Sequence, residues 1–208
     1  NIDTNSRLCM ASTVAGHTRA FVTDTVPWLY SDLEDADLVI LVGSNLAWCH
    51  PVLHPRLAAA RSDRGTKVVV IDPRRTATCD IADLHLRLRP GSAVALFNGL
   101  LAHLNAKRAI DPTFVADHVA GLAEALTHAT GDDLSQTGLA AADLEAFFTL
   151  FTATEKTVTV FSQGVNQSAQ GTDKVNAIIN CHLATGRIGK PGRGPLCVTG
   201  QPNALGGR

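Results

Sequence analysis

Charged residues are scarce in this chain of 208 residues. They make up 18% of the sequence, where about 25% is usual for a soluble domain. We interpret this shortage as a sign that part of the surface faces other protein or a cofactor. The charges that are present nearly cancel, for a formal net charge of −1. That balance argues against a nucleic-acid binder that relies on bulk positive charge.

The sequence also lacks long hydrophobic runs. Its longest apolar stretches, such as Leu38–Val42 and residues 68–71, fall far short of the roughly 20 residues that span a bilayer. The polar N-terminal segment has no apolar export core and begins with Asn1 rather than methionine. We therefore expect no membrane span, and we expect the chain to be part of a longer protein.

Cysteine pairs of the C-x-x-C type are absent. The five cysteines are scattered and odd in number, so we expect neither a disulfide framework nor a structural zinc site. A reducing, cytoplasmic compartment fits this usage better. We interpret four of them as small buried hydrophobic residues, namely Cys49, Cys79, Cys181 and Cys197.

Three β-branched runs, each ending in a polar turn, predict strands over Leu38–Val42, Lys67–Ile71 and Thr157–Phe161. Continuous apolar runs of this kind are typical of parallel strands covered on both faces. A further strand with one wetter face is predicted where Leu84, Leu86 and Leu88 alternate with polar residues.

Helical spacing of apolar residues fills the intervals. Helices are predicted over 51–64, 92–108, 141–154 and 173–185, with a connecting loop over 130–137. Strands that alternate with helices imply βαβ units with right-handed crossovers. The predicted fold class is α/β, with a Rossmann-like open, mostly parallel sheet and helices on both faces.

The C-terminal stretch 186–208 contains seven glycines and three prolines. It is too broken for a helix and too long for an ordinary connection. We predict a glycine-rich strap that packs on a neighbouring domain or grips a ligand.

Polar turns follow the predicted strands, and the carboxyl ends of parallel strands form the edge where ligands bind. Gly43 allows close backbone approach, while Ser44 and Asn45 are suited to bind phosphate or ribose. Asp72 is suited to a ribose hydroxyl or a purine edge. Two arginines, Arg74 and Arg75, can fork onto phosphate oxygens.

Gly91 and Ser92 open a predicted helix, whose amino end attracts anions. The alternative is that Asp-Pro-Arg merely stops a strand and leaves its arginines on the surface. A G-x-G-x-x-G motif is absent, which disfavours an ordinary nicotinamide site. The turns taken together favour a nucleotide ligand.

Cys9 lies near the start of another predicted helix, for which Asn5 and Ser6 are suitable caps. Its apolar face is predicted to carry Leu8, Ala11, Ala15 and Thr18. In a first helical turn, free amides and the helix dipole favour a thiolate, which can serve as a nucleophile or a soft metal ligand. The pattern alone leaves this reading level with the alternative of a small buried hydrophobe.

Many spaced motifs together resemble the bis-molybdopterin guanine dinucleotide oxidoreductases, over essentially the whole chain. They are N-x-D-x-N-x-R-x-C-M-A-S from residue 1, G-S-N at 43, H-P at 50, D-P-R-R-T at 72, A-D-L-H at 82, P-G-S at 90, G-V-N-Q at 164, G-T at 171, the stretch 183–191 and T-G-Q-P-N at 199.

The resemblance implies that Cys9 is the thiolate ligand of molybdenum and that two pterin dinucleotides bind per metal. Relatives usually have Asp or Asn where this chain has Ala93, so one contact to the guanine edge is in doubt. The residues that would line the dinucleotides are Asn5, Val42, Gly43, Ser44, Asn45, Ile71, Asp72, Pro73, Arg74, Arg75, Gly91, Ser92, Ala93, Gln163 and Gln167.

Within that family, two positions separate the substrates. This chain resembles nitrate reductases at both, with Met10 where formate dehydrogenases carry histidine and Thr199 where they carry arginine. Gln163 stands where periplasmic relatives tend to carry methionine, so the chain looks most like the bacterial assimilatory catalytic subunit. The implied reaction is the two-electron reduction of nitrate to nitrite by oxygen-atom transfer. The alternatives are a formate dehydrogenase or other molybdopterin oxidoreductase, and a nucleotide-binding module without metal chemistry.

The resemblance also implies partners. The 4Fe-4S cluster would lie in the parent chain outside this fragment, and electrons would come from ferredoxin, flavodoxin or a nicotinamide-linked subunit. Residues 1–30 would form the molybdenum-ligand segment and helix, 31–185 the inserted dinucleotide-binding domain, and 186–208 the strap to a neighbouring domain of the same subunit. We expect the domain alone to be inactive.

Overall fold

The computed structural model describes residues 7–25 and 29–198. Five parallel strands form one open sheet in the order β3-β2-β1-β4-β5. The predicted α/β class is confirmed, and the three β-branched strands have the predicted bounds. The strands are β1 Leu38–Val42, β2 Lys67–Ile71, β3 Leu84–Leu86, β4 Thr157–Phe161 and β5 Gly194–Cys197.

Helices connect the strands, and the four predicted between strands are confirmed to within two residues at each end. None of the helices in the described ranges is both long and apolar enough to cross a membrane. The helices are α1 Arg7–Phe21, α2 Asp32–Asp35, α3 Leu46–Cys49, α4 Leu53–Arg64, α5 Ala93–Ala106, α6 Pro112–His118, α7 Leu122–Ala129, α8 Ala141–Ala153, α9 Gln163–Asn166 and α10 Gly171–Ala184, with 3₁₀ turns at Ala77–Ile81 and Leu134–Thr137.

Alternate residues of the strands face two separate cores, one on each side of the sheet. Ile40 and Ile71 pack into a core with the apolar side chains of α5, α8 and α10. Leu41 and Val70 pack into a smaller core that includes Leu57 of α4. Both faces of the central strands are therefore covered, which explains why their sequences are continuously apolar.

The strand β5 was not predicted, because residues 186–208 were interpreted as an irregular strap. Gly194 and Pro195 are poor strand formers, but β5 is an edge strand, where the missing N–H of a proline is tolerated. Leu196 and Cys197 are fully buried against the neighbouring strand and helices. Part of the strap thus completes the sheet.

Three other predictions need correction. The predicted apolar face of α1 is wrong, since Ala11, Ala15 and Thr18 are exposed. The buried face carries Cys9, Met10, Thr13, Gly16 and His17; its polar members concealed it from an apolar pattern. The predicted loop over 130–137 ends in a 3₁₀ turn whose Thr137 is buried, and the predicted burial of Cys49 is wrong because that side chain is exposed.

Candidate nucleotide site at the carboxyl edge of the sheet

A cavity of about 410 Å³ opens at the carboxyl ends of β1, β2 and β4. The chain leaves β1 towards β2 on one side, while β4 lies on the other side of β1. The order of the strands therefore reverses here, and ligands of open α/β sheets bind at such reversals.

Nine of the residues expected to bind a dinucleotide line this cavity. They are Val42, Gly43, Ile71, Asp72, Pro73, Arg74, Gly91, Ala93 and Gln167. Five others, Ser44, Asn45, Arg75, Ser92 and Gln163, do not line it, and Asn5 lies outside the described residues.

Gly43 follows β1 in a left-handed conformation, with φ +54°. A Cβ at this position would lie 2.7 Å from the Cα of Gly164, and the Gly164 N–H donates to the Gly43 carbonyl at 3.0 Å. The sequence analysis attributed this glycine to the approach of a ligand. The structure gives a different reason, because two backbone turns touch here and form the floor of the cavity.

Asp72 is buried at the end of β2, and its Oδ1 accepts a hydrogen bond from the Arg74 N–H at 2.9 Å. Its Oδ2 makes no hydrogen bond within the described part of the chain. The turn therefore fixes one carboxylate oxygen and leaves the other available. Arg74 is exposed and lines the same cavity, while Arg75 is exposed but lies outside the lining.

The amino end of α5 also meets the cavity. Gly91 adopts φ +94° with open space where a Cβ would be, so its backbone borders the cavity without a side chain. Ser92 is the N-cap residue, but its hydroxyl donates to the Arg89 carbonyl at 2.7 Å and does not cap the helix. The first amides of α5 thus have no side-chain acceptor there, which suits this helix end to an anion.

The predicted residues outside the lining are tied to their surroundings in different ways. Asn45 Oδ1 accepts from the Thr78 hydroxyl at 2.9 Å, and Gln163 Oε1 accepts from the Ser162 hydroxyl. The Ser44 hydroxyl is buried and has no hydrogen-bond partner among the described residues. Of the three, Ser44 is the one with a buried polar atom that has no hydrogen-bond partner in the described part of the chain.

Cys9 lies near the described start of α1 and is 8% exposed. It packs in the larger core beside Met10, and it does not line the cavity. A buried polar network joins this region to β5: the Thr13 hydroxyl donates to Asn166 Oδ1 at 2.6 Å, and Asn166 Nδ2 lies 3.7 Å from Cys197 Sγ. Burial, with a smaller contribution from the nearby Cys9, raises the pKa of Cys197 to about 11, although the hydrogen bonds of Thr13 and Asn166 with its sulfur lower it.

Two cationic residues of the cavity, Arg89 and Lys174, lie outside the set predicted from the sequence motifs. Lys174 is 5% exposed, and its ammonium has no hydrogen-bond or ion-pair partner in the described ranges. Burial lowers its pKa from the ordinary value for lysine. The sequence does contain a signal for this lysine. It lies three and four residues before the buried Ala177 and Ile178, so helical spacing places a charged residue on the apolar face of α10.

The fold is an open, parallel α/β domain with a cavity where the strand order reverses. The family model "Molybdopterin oxidoreductase" matches residues 1–201, and the chain belongs to that family. Curated proteins named "Nitrate reductase" are similar to it, one from Klebsiella oxytoca at 54% identity and one from Shewanella frigidimarina (strain NCIMB 400) at 48%. Each match covers all of this chain and, respectively, 24% and 23% of the relative. The chain therefore spans about a quarter of the length of these relatives.

Among solved structures, acetylene hydratase from Pelobacter acetylenicus has the same fold, with a TM-score of 0.71. The match covers 86% of this chain and 24% of that chain, at 23% identity. At this identity the likeness concerns the fold alone.

The residues present fit the nucleotide part of a molybdopterin dinucleotide. The cavity combines a mostly buried lysine whose ammonium has no partner among the described residues, a helix end without a side-chain cap and a turn with a free carboxylate oxygen. Within the described residues, no cluster of three or more His, Cys, Asp or Glu side chains is placed to hold a metal ion. A metal at Cys9 would thus take most of its ligands from other groups, such as those of the pterin.

Proposed function

We propose that this chain is the dinucleotide-binding domain of a bacterial assimilatory nitrate reductase and that its cavity holds the guanine dinucleotide end of the molybdopterin cofactor. The observation that carries the proposal is the cavity at the strand-order reversal, where nine residues expected from sequence to bind a dinucleotide come together. The parent enzyme would reduce nitrate to nitrite.

Each part of the cavity has a role in this proposal. Asp72 would accept a hydrogen bond from a ribose hydroxyl or from the guanine edge through its free oxygen. The Gly91 turn and the amino end of α5 would bind an anionic or acceptor group through backbone amides. Arg74 and Arg89 border the cavity and would stabilise phosphate oxygens.

Ala93 lines the cavity with a methyl group, at a position where relatives were expected to carry a hydrogen-bonding Asp or Asn. The loss of that contact leaves Asp72 as the carboxylate of the lining. We therefore propose that recognition of the guanine edge depends more strongly on Asp72 in this chain.

Cys9 is proposed as the protein ligand of molybdenum, and its helix is anchored through Thr13 and Asn166. The bound metal would supply the two-electron, oxygen-atom-transfer chemistry of the parent enzyme. The thiol is nearly buried within this fragment, so the pterins and the neighbouring domains would form the rest of its surroundings. Met10, Thr199 and Gln163 support nitrate as the substrate and an assimilatory, cytoplasmic enzyme.

The partners of the parent enzyme follow from the same proposal. We propose two dinucleotides per molybdenum, a 4Fe-4S cluster in the remaining domains, and ferredoxin, flavodoxin or a nicotinamide-linked subunit as electron donor. A formate dehydrogenase or a metal-free nucleotide module are the alternatives.

The test replaces Cys9 in the full-length enzyme. Cys9→Ala is expected to abolish nitrate turnover while the pterin content, measured after acid release, stays near that of the wild type. Cys49→Ala is the matched control, because that thiol is exposed and outside the site. Unchanged nitrate turnover in Cys9→Ala would refute the assignment of the metal ligand, and turnover of formate by the wild type in place of nitrate would refute the substrate.

A further inference from the structure

A mostly buried lysine, whose ammonium has no partner among the described residues, lies in the wall of the cavity. The Lys174 side chain extends from the first turns of α10 and is 5% exposed. Of the residues that line the cavity, Asp72 alone carries a carboxylate, and no ion pair joins it to Lys174 within 4.0 Å. Partial desolvation of an unpaired ammonium costs free energy, which an opposite charge would offset.

The other charges around the cavity point to the sign of the missing group. Arg74 and Arg89 also line it, so three cationic side chains face one carboxylate. Asp72 already accepts a hydrogen bond from the Arg74 N–H. The excess of positive charge favours an anion, whereas a neutral base would leave the ammonium of Lys174 uncompensated.

The position of Lys174 in the fold indicates which part of a dinucleotide it would contact. The packing of α10 against α9 and α5 brings Lys174 to the same cavity as Gly43 and Gly164, on the turns after β1 and β4. In doubly wound folds the turn after the first strand approaches the diphosphate, and the residue that ends the second strand approaches the ribose. Here Asp72 occupies that second position.

We infer that Lys174 binds a phosphate of the dinucleotide's diphosphate, as a ligand-binding residue that the sequence motifs did not include. The inference rests on the proposed function and deepens it. Burial lowers the pKa of Lys174, and an adjacent phosphate would raise it again by stabilising the ammonium form.

The first experiment titrates the purified 208-residue chain with GDP and, separately, with guanosine. Lys174→Met is expected to weaken GDP binding by about 10- to 100-fold, the loss typical of a charge-assisted hydrogen bond. Guanosine, which has no phosphate, is expected to bind both proteins equally. Lys174→Arg should recover part of the GDP affinity, and Lys107→Met, at an exposed lysine, should change nothing.

The second experiment removes any dependence on the isolated chain. In the full-length enzyme carrying Lys174→Met, the GMP released by acid hydrolysis per mole of protein is expected to fall, with no such fall in Lys107→Met.

A third experiment measures thermal unfolding of the 208-residue chain in the absence of ligand. Lys174→Met is expected to unfold at a higher temperature than the wild type, because a desolvated charge has been removed.

Three results would overturn the inference. Equal loss of guanosine and GDP affinity would assign the ammonium to the base, and unchanged GDP affinity and GMP content would show that it binds neither. A lower unfolding temperature in Lys174→Met would show that the ammonium serves the fold itself. Failure of a cooperatively folded wild type to bind GDP would instead refute the proposed function, and the inference with it.

Discussion

The two edges of the sheet differ in how their charged side chains are paired. At the amino edge, acids that precede the strands are paired: Asp83, before β3, lies 3.0 Å from Arg61 and 3.6 Å from Lys67. Arg64 pairs with Asp35 and Asp37 before β1, and Arg193 with Glu155 before β4. At the carboxyl edge, the cationic side chains Arg74, Arg75, Arg89 and Lys174 have no ion-pair partner among the residues that the structure describes.

This difference separates stability from binding. Paired charges at the amino edge satisfy one another and hold the helix ends to the strands, so they need no ligand. Unpaired cations around a cavity repel one another, and an anionic ligand would reverse that cost. The comparison therefore predicts that the loss of a paired charge at the amino edge lowers the free energy of unfolding, whereas the loss of a cation at the carboxyl edge lowers nucleotide affinity.

The largest effect is expected at Gly43, in the turn that follows β1 and borders the cavity. Gly43→Ala would place a methyl group 2.7 Å from the Gly164 backbone and in a left-handed conformation. We expect unfolding to become easier by roughly 3 kcal/mol, with a fall in Tm of roughly 6–12 °C, measured by thermal denaturation.

Gly65→Ala at the amino edge is the matched control for Gly43→Ala. Gly65 also has a positive φ, of +77°, but nothing lies within 4 Å of the added methyl group. It is expected to cost only about 1 kcal/mol. Equal losses in the two variants would mean that the contact between the β1 and β4 turns does not determine stability.

The next largest effect is expected when the unpaired arginines of the carboxyl edge are replaced. Arg74→Gln together with Arg89→Gln should weaken GDP binding by about tenfold in calorimetric titrations, since two cations at the phosphates are lost. The free energy of unfolding should change by less than about 0.5 kcal/mol, because neither side chain has a hydrogen-bond or ion-pair partner among the described residues.

Arg64→Gln is the amino-edge counterpart. Arg64 donates to the backbone carbonyls of Glu34 and Asp35 and pairs with Asp37. Its replacement should lower the free energy of unfolding by up to about 1 kcal/mol and leave GDP affinity unchanged. If Arg64→Gln reduced binding as much as the carboxyl-edge variant, the separation of the two edges would be wrong.

The smallest effect is the pH dependence of Asp83. Burial raises the pKa of this carboxyl, but the Val68 N–H and the charges of Arg61 and Lys67 lower it more, so its net pKa lies below the ordinary value. Its stabilising contribution is therefore present above about pH 4 and is lost as the pH falls through the folded-state pKa.

Asp83→Asn should accordingly be less stable than the wild type at pH 7, by no more than about 1 kcal/mol because solvent screens the pair. The difference should shrink as the pH falls below about 4. Denaturant unfolding across this range measures the difference, with Asp63→Asn, on the helix α4 that also carries Arg61, as control. A difference that grows at low pH would contradict the sign of the shift.

The sequence predicts the fold well where hydrophobic burial alone determines the secondary structure. The strands β1, β2 and β4 are continuous apolar runs covered on both faces, so hydrophobic patterning alone determines them. The strand β5 begins with Gly194 and Pro195, and only the pairing with β4 makes it a strand. Local propensity does not contain that tertiary pairing.

The same distinction holds for the site. Its local turns could be predicted from the sequence, whereas the residue that depends on tertiary packing could not. Turns that follow strands, such as those at Gly43 and Asp72, are local and were found. Lys174 reaches the cavity from a helix more than a hundred residues later in the chain, so its role depends on how α10 packs. The buried face of α1 was missed because Thr13 and His17 are polar, and their burial depends on partners elsewhere in the fold.

The most direct test of the account is a crystal structure of the 208-residue chain with bound GDP. The account predicts the diphosphate in the cavity between the Gly43 and Gly91 turns, with the Lys174 ammonium within 4 Å of a phosphate oxygen and the guanosine beside Asp72. A nucleotide bound at the amino edge, or a cavity at the carboxyl edge left without it, would contradict the account.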